Sequence, residues 1–313
     1  MTGCFPGIAP VHAPTLDAAA ATAGADLVVL VVAAPDQARA AQDIAAHLSS
    51  GAHVLGKPGC TGGALEVRDV LLNAGRSDVL VGETDSFAFA CSMPGPGESH
   101  ISAVKQAIAV STMPGSHAAE MLETVGVLFP QAHAVPTVLH TGFSNINAVA
   151  HVASVVANAG RIEHTGGEFE FYSDGITESV ARVVAAYDAE RVAVALAFGI
   201  RIQSFVEWVS TAYGITAPSI YEIIQILQRD IYRSSRAPSN LMHRYLTEDV
   251  PCGTVPTVAL AHCAGMRLPI HESLIQLASS LTGCDYWTSG RTTERLGLAG
   301  KRIDEVLALV TAA

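Results

Sequence analysis

"ADLVVLVVAAPDQARAAQDIAAHLSSG", residues 25–51, decides the class of the fold. Its first half is an unbroken run of valine and leucine. A strand with one wet face alternates apolar and polar residues, whereas a strand apolar at every position is covered on both faces, as in a parallel sheet. The run from Leu27 to Ala34 is far shorter than the ~20 residues a membrane span needs, so it reads as a buried strand. The second half repeats apolar residues at helical spacing and ends at Gly51, a residue suited to a helix terminus.

The same unit repeats. "AHVLGKPGC" (52–60) reads as a second strand entering a glycine-rich loop, and "GGALEVRDVLLNAG" (62–75) as another helix. "DVLVGETDSFAFACSM" (78–93) and "HISAVKQAIAVSTMP" (100–114) supply further strands. Strand–helix alternation predicts an α/β domain with a parallel sheet. After about residue 142 the pattern changes to helical periodicity over 145–160, 176–212, 218–230, 254–264, 271–282 and 301–312. Only "GGEFEFYSDGI" (166–176) reads as extended. Two domains are therefore expected, 1–142 α/β and 143–313 all-α.

Composition narrows the partners. At 313 residues and 50% hydrophobic, the chain is long and apolar enough for a sizeable core. A net charge of −11 argues against nucleic acid or an anionic membrane. Six cysteines without a C-x-x-C pair fit reduced thiols and no metal site, and no basic-then-apolar leader opens the chain, so a cytoplasmic protein is expected. Cys60, Cys91 and Cys252 read as small hydrophobes.

"SNINAVAHVASVVANAGRIE" (144–163) sets Asn147 and His151 four residues apart, on one face of a helix of alanine and valine. Two readings are open: a core histidine beside an asparagine that satisfies backbone groups, or an amide and an imidazole facing a substrate. "HRYLTEDVPCGTVP" (243–256) packs Arg244, Glu248 and Asp249 between apolar residues. A carboxylate there can hold an imidazole in one tautomer, and an arginine can grip a substrate carboxylate with two bonds. A solvated acidic turn is the plain alternative.

Seven segments, in order, carry a likeness: "KPGCTGGALE" (57–66), "ETDSFAFAC" (83–91), "PGPG" (94–97), "NINAVAH…NAGRIE" (145–163), "GGEFEFYSDGIT" (166–177), "RYLTEDVPCGTVP" (244–256) and "GRTTERLGLAG" (290–300). Together they resemble the NAD/NADP-dependent octopine/nopaline (opine) dehydrogenases. The resemblance implies a Rossmann-like domain followed by a helical substrate and dimerisation domain, NAD or NADP as cofactor, and a homodimer. It implies reductive condensation of an amino acid with a 2-oxo acid. His151 would be the general acid/base, oriented by Asp249; Arg244 would bind a substrate carboxylate, and Asn147 would order substrate or water. Pro35, Pro58, Gly59 and Thr61 would meet the cofactor. Arg291 either meets a substrate acid or holds a C-terminal turn, and Tyr172, Trp208 and Trp287 read as core or pocket wall.

The sequence departs from that family at one place. Its opening strand, G-x-G-x-x-G turn and helix, which hold a pyrophosphate, have no counterpart: "GCFPG" (3–7) has the wrong spacing, and "GKPGCTGG" (56–63) corresponds to a later loop. Either the protein starts upstream, or it has given up the dinucleotide site. In the second case the same dyad serves cofactor-free imine formation, cyclisation, dehydration or isomerisation, or the chain is a silent subunit. Loss of the first strand would also bare one flank of the valine-rich strand at 27–34.

Overall fold

A computed structural model describes residues 1–10, 14–233 and 235–312. Eight strands are present among them: β1 Thr2–Gly3, β2 Leu27–Leu30, β3 His53–Gly56, β4 Leu80–Thr84, β5 Phe89–Ser92, β6 His100–Val104, β7 Ile108–Met113 and β8 Ala132–Ala134. Five form the main sheet, in the order β2-β3-β4-β7-β8, and β1, β6 and β5 form a small separate one. Pairing is parallel for β2–β3, β3–β4 and β7–β8, with Leu27 opposite His53 and Leu55 opposite Gly82.

The β4–β7 pair is antiparallel, so the sheet is mixed where a wholly parallel one was expected. The cause is the connection. A parallel return needs a crossover, usually a helix over one face. Here the chain leaves β4 into the antiparallel pair β5–β6 and comes back reversed. "HISAVKQAIAVSTMP" is accordingly split at Lys105–Ala107 between the two sheets.

The valine run behaves differently from expectation too. Only Leu27–Leu30 is strand, at the outer edge of the main sheet, and Val31 and Val32 are exposed. Helices Gln37–Ile44, Gly63–Asn73 and Ala118–Leu128 cover the sheet.

Helices dominate from Val138 onward. Several start as local chemistry requires. Thr177 accepts the Val180 N–H at the head of Glu178–Ala197, Ser204 and Glu207 cap Phe205–Tyr213 reciprocally, and Ser219 caps Ile220–Asp230. Gly214 and Gly283, at φ +70° in both cases, end their helices. The segment "GGEFEFYSDGI" is a series of turns with one isolated bridge, Glu170 to Arg236, in place of a strand. One apolar core runs through both halves, from Leu30 and Val54 in the sheet to Phe143, Val152 and Val310. Among the described residues, no helix is long and apolar enough to cross a membrane.

The C-terminal segment is fastened back onto the sheet by Arg291, which is wholly buried. Its Nε donates to Glu66 at 2.9 Å, one terminal nitrogen to the Gly59 and Thr61 carbonyls, and the other to the Ala34 carbonyl and Gln37 Oε1. A guanidinium has five N–H donors, and all five have acceptors. Arg291 is therefore a structural clamp; breaking such a buried pair costs about 3–5 kcal/mol.

Candidate active site

His151 and Asp249 meet through a packing accident of small residues. Helix Asn147–Ala157 runs against a widened turn, Val250–Thr254, in which the Val255 N–H reaches back five residues to Val250. Gly253 makes the approach possible: a Cβ there would stand 3.0 Å from the Ala148 Cβ. The wide turn frees carbonyls that outside donors use, Arg291 N–H on Pro251 and Thr61 N–H on Cys252. Such turns are frequent at functional sites because they re-aim one residue within an otherwise regular helix. Asp249 is the residue just before this one.

The imidazole is held on three sides. His151 Nδ1 lies 2.7 Å from Asp249 Oδ2, and Nε2 lies 3.3 Å from the Tyr172 hydroxyl. Tyr245 stacks on the ring, with centroids 3.7 Å apart and planes 19° off parallel. The Asp249 side chain is 3% exposed and that of His151 13%. A buried carboxylate accepts, so Nδ1 carries the proton and Nε2 is left with its lone pair toward the Tyr172 hydroxyl. Burial pushes the Tyr172 phenol well above its usual range, so it remains a donor toward Nε2.

His151 lines a cavity of about 420 Å³. Asn147, Ala150 and His151, three and four residues apart, form one wall of it. Arg244, Lys105, Val31, Cys91 and a ring of aromatic side chains including Phe89, Trp208 and Tyr232 form the rest. Arg244 Nε donates to Glu248 at 2.8 Å, and Glu248 also accepts the Ala34 N–H at 3.0 Å. That tether fixes the guanidinium and leaves its terminal nitrogens without a protein partner among the described residues. A roomier depression of about 800 Å³, lined by His262, Cys263, Thr293 and Lys301, lies away from His151 and Asp249.

The four residues expected at the cofactor separate. Pro35 is exposed beyond the end of β2. Pro58 is buried, and Gly59 and Thr61 turn inward. The Gly59 N–H donates to the Thr84 carbonyl, Thr61 N–H to Cys252 and Thr61 Oγ1 to the Gly142 carbonyl, while both their carbonyls accept from Arg291. Cys60 and Cys252 pack on Ala34, and burial raises both thiols, Cys252 to about 11. Trp208 and Tyr172 line the cavity, whereas Trp287 packs against the core.

Sequence reading missed Lys105 and Tyr245. Lys105 is a lone cation inside "AVKQAIAV", and Tyr245 is next to an arginine already singled out; a charged or aromatic residue interrupting an apolar run was the available signal. Among the described residues, no group of three or more His, Cys, Asp or Glu side chains is placed to hold a metal ion.

Residues 134–282 match the family described as NAD/NADP octopine/nopaline dehydrogenase, alpha-helical domain. An opine dehydrogenase of Arthrobacter sp. (strain 1C) is 39% identical over 298 residues, covering 94% of this chain and 82% of that protein. The chain belongs to the opine dehydrogenase family. Solved structures agree on the fold. An octopine dehydrogenase with NADH and L-arginine superposes with a TM-score of 0.73 at 22% identity, over 94% of this chain and 80% of that one. An NADP+-bound yersinopine dehydrogenase gives 0.69 at 16% identity, over 93% and 79%. The α/β sheet followed by a helical domain is the architecture of an opine dehydrogenase, and the chain is an oxidoreductase of that NAD(P)-dependent class.

Proposed function

We propose that this opine dehydrogenase joins the amino group of an amino acid to the carbonyl carbon of a 2-oxo acid, with His151 as proton carrier. The observation that carries this reading is His151 itself: one ring nitrogen is fixed on Asp249 and the other meets the Tyr172 hydroxyl on the wall of a cavity that also presents Arg244 and Asn147.

The amine attacks the carbonyl carbon once it has lost a proton, and Nε2 of neutral His151 accepts it. The carbinolamine then loses its hydroxyl as water, for which the same nitrogen returns the proton. Asp249 stabilises the doubly protonated ring between those events. Arg244 grips a substrate carboxylate with its free terminal nitrogens. The side-chain amide of Asn147 makes no protein hydrogen bond among the described residues, which suits it to order substrate or water. Reduction of the C=N bond needs a hydride, which NADH or NADPH supplies when bound.

The residues fit that cofactor unevenly. Val31 is 61% exposed, lines the cavity and stands just past the carboxyl end of β2, where open α/β sheets receive ligands. Val31, Val32 and Pro35 would meet a nicotinamide ring. The glycine-rich loop after β3 offers no place for phosphate, because Glu83 takes the Ala64 N–H at 2.7 Å at the start of helix Gly63–Asn73.

The experiment is turnover of pyruvate with each of the twenty amino acids, with NADH, with NADPH and with neither, read by mass spectrometry of product and absorbance of the dinucleotide. We expect a secondary-amine dicarboxylate formed only with a dinucleotide and lost in His151→Ala. No secondary-amine dicarboxylate with any amino acid and either dinucleotide overturns the reading, and formation unchanged in His151→Ala overturns the role of His151.

A further inference from the structure

The acid–base machinery makes no use of Lys105. We propose that Lys105 binds the carboxylate of one substrate acid while Arg244 binds that of the other, so that the cavity is a two-cation receptor for a dicarboxylate product. The inference rests on the opine-forming reading and specifies how that site holds its ligands.

Placement comes first. Lys105 sits where the chain passes from β6 to β7, and its N–H is pinned to the Ala88 carbonyl at 3.0 Å. The residue is 8% exposed, and what remains open lies on the wall of the cavity that His151 faces. Its ammonium stands 5.0 Å above the Trp208 ring and has no ion pair or side-chain hydrogen bond among the described residues. Lys57 is a useful contrast. It too is buried, with its Nζ 3.8 Å above the Phe129 ring, but it is sealed from solvent and does not line this cavity.

A cation removed from water and left unpaired is costly. Burial lowers Lys105 to about 8 against the opposing attraction of Asp85, so the ammonium form still prevails at neutral pH. Lys57, Asp85 and Cys91 act on it from the sheet side, and His151, Tyr213, Tyr232 and Arg244 share its cavity. A positive charge on a wall that carries no carboxylate among its lining residues calls for an anion. The two condensing acids bring one α-carboxylate each, and these repel one another once water is excluded. Arg244, from the helical half, and Lys105, from the sheet half, offer a separate cation to each.

The test uses L-leucine and pyruvate as substrates and N-(1-carboxyethyl)-L-leucine as ligand, with wild type, Lys105→Met, Lys105→Arg and Arg244→Met. Lys105→Met should bind the dicarboxylate at least tenfold more weakly by calorimetry. It should raise KM for one acid, and Arg244→Met should raise KM for the other. Wild-type affinity should fall between pH 7 and pH 9, and Lys105→Arg should abolish that fall while retaining binding. The wild-type pH series and the arginine variant stand even if the methionine variant folds poorly. Undiminished binding in Lys105→Met, a rise in the same KM from both variants, or no pH effect overturns the role of Lys105 alone, provided wild type makes and binds the product. A wild type that forms no secondary-amine dicarboxylate from pyruvate and any of the twenty amino acids overturns the opine-forming reading, and this inference with it.

Discussion

The protein contains the same pairing twice. His151 Nδ1 lies 2.7 Å from Asp249 under a stacked Tyr245, and His271 Nδ1 lies 2.7 Å from Glu190 under a stacked Tyr187, with ring centroids 3.8 Å apart at 17°. What differs is the far nitrogen. His151 lines the cavity and its Nε2 meets the Tyr172 hydroxyl there, whereas His271 is wholly buried and its Nε2 has no partner among the described residues. Glu190 is busy elsewhere as well, accepting the Ile270 and His271 N–H groups at the start of helix Pro269–Thr282. A histidine–carboxylate pair is thus no signature of catalysis. The cavity beside one pair is what suits it to the proposed proton transfer, whereas the other, sealed in the core, anchors a helix. The two are even joined, since the Tyr187 hydroxyl is 3.1 Å from Thr254 Oγ1, which donates to the Asp249 carbonyl.

Exchanging the histidines for alanine sets the pairs furthest apart. Loss of a positioned general acid/base costs about 10²–10⁴-fold, so His151→Ala should lower kcat by about 10³-fold, with its melting temperature close to wild type. His271→Ala should do the reverse, losing about 2–3 kcal/mol of stability through a cavity and an abandoned carboxylate while kcat per folded molecule stays within a few-fold. Steady-state kinetics and urea unfolding on the two variants check this. A larger kcat loss in His271→Ala would end the distinction.

The carboxylates should differ less sharply. Asp249→Asn places an amide against Nδ1–H, favours the other tautomer and should cost about 10²-fold in kcat, since a mispositioned imidazole is a large but partial loss. Glu190→Gln removes charge-assisted bonds to two N–H groups and a ring, worth about 1.5–3 kcal/mol of stability. The Tyr187–Thr254 link carries a further expectation, that kcat in Glu190→Gln falls only a few-fold. Kinetics and thermal melting of both variants separate the outcomes.

These contrasts also show what was legible in the sequence. Helical periodicity placed some elements of the second half closely: 218–230 is Ile220–Asp230, and 271–282 lies within Pro269–Thr282. It ran 176–212 together, however, where two helices, Glu178–Ala197 and Phe205–Tyr213, stand apart. Spacing put Asn147 and His151 on one face, but the partner 98 residues away came from likeness to a family, because contact at that separation leaves no local pattern. The valine run was overread because apolarity marks any surface that avoids water. Val31 is apolar as cavity wall, and Ala34 is tied to Glu248 and Arg291. Lys105 stayed hidden since its meaning depends on the wall around it. For the same reason, nothing in "LPIHESL" distinguishes the anchoring histidine from the one at the cavity.

The smallest effect is in acid. Burial lowers the His271 pKa although Glu190 pulls the other way, and the Glu190 hydrogen bonds hold that carboxyl below its ordinary value despite partial burial. A histidine depressed on folding binds fewer protons in the native state than in the unfolded one, so stability falls as pH drops below the unfolded value of about 6.5. Glu190 works in a lower window: its contribution is present above about 4.5, the usual glutamate value, and is lost below it. Between pH 6.5 and 5 His271 shares the slope with His140 and His243, which burial also depresses, and is opposed by Glu83, which burial pushes up to about 7. Only the difference between wild type and a His271 variant therefore isolates its part. His271→Gln, whose amide can still donate to Glu190, should flatten the decline of the urea midpoint over that interval by the equivalent of about 1 kcal/mol, within the range that one depressed titration supplies. His151→Ala should leave the His271 share of that slope in place. An unchanged slope in His271→Gln would show that the buried ring is not what acid attacks, and would bring the two pairs closer together than their surroundings imply.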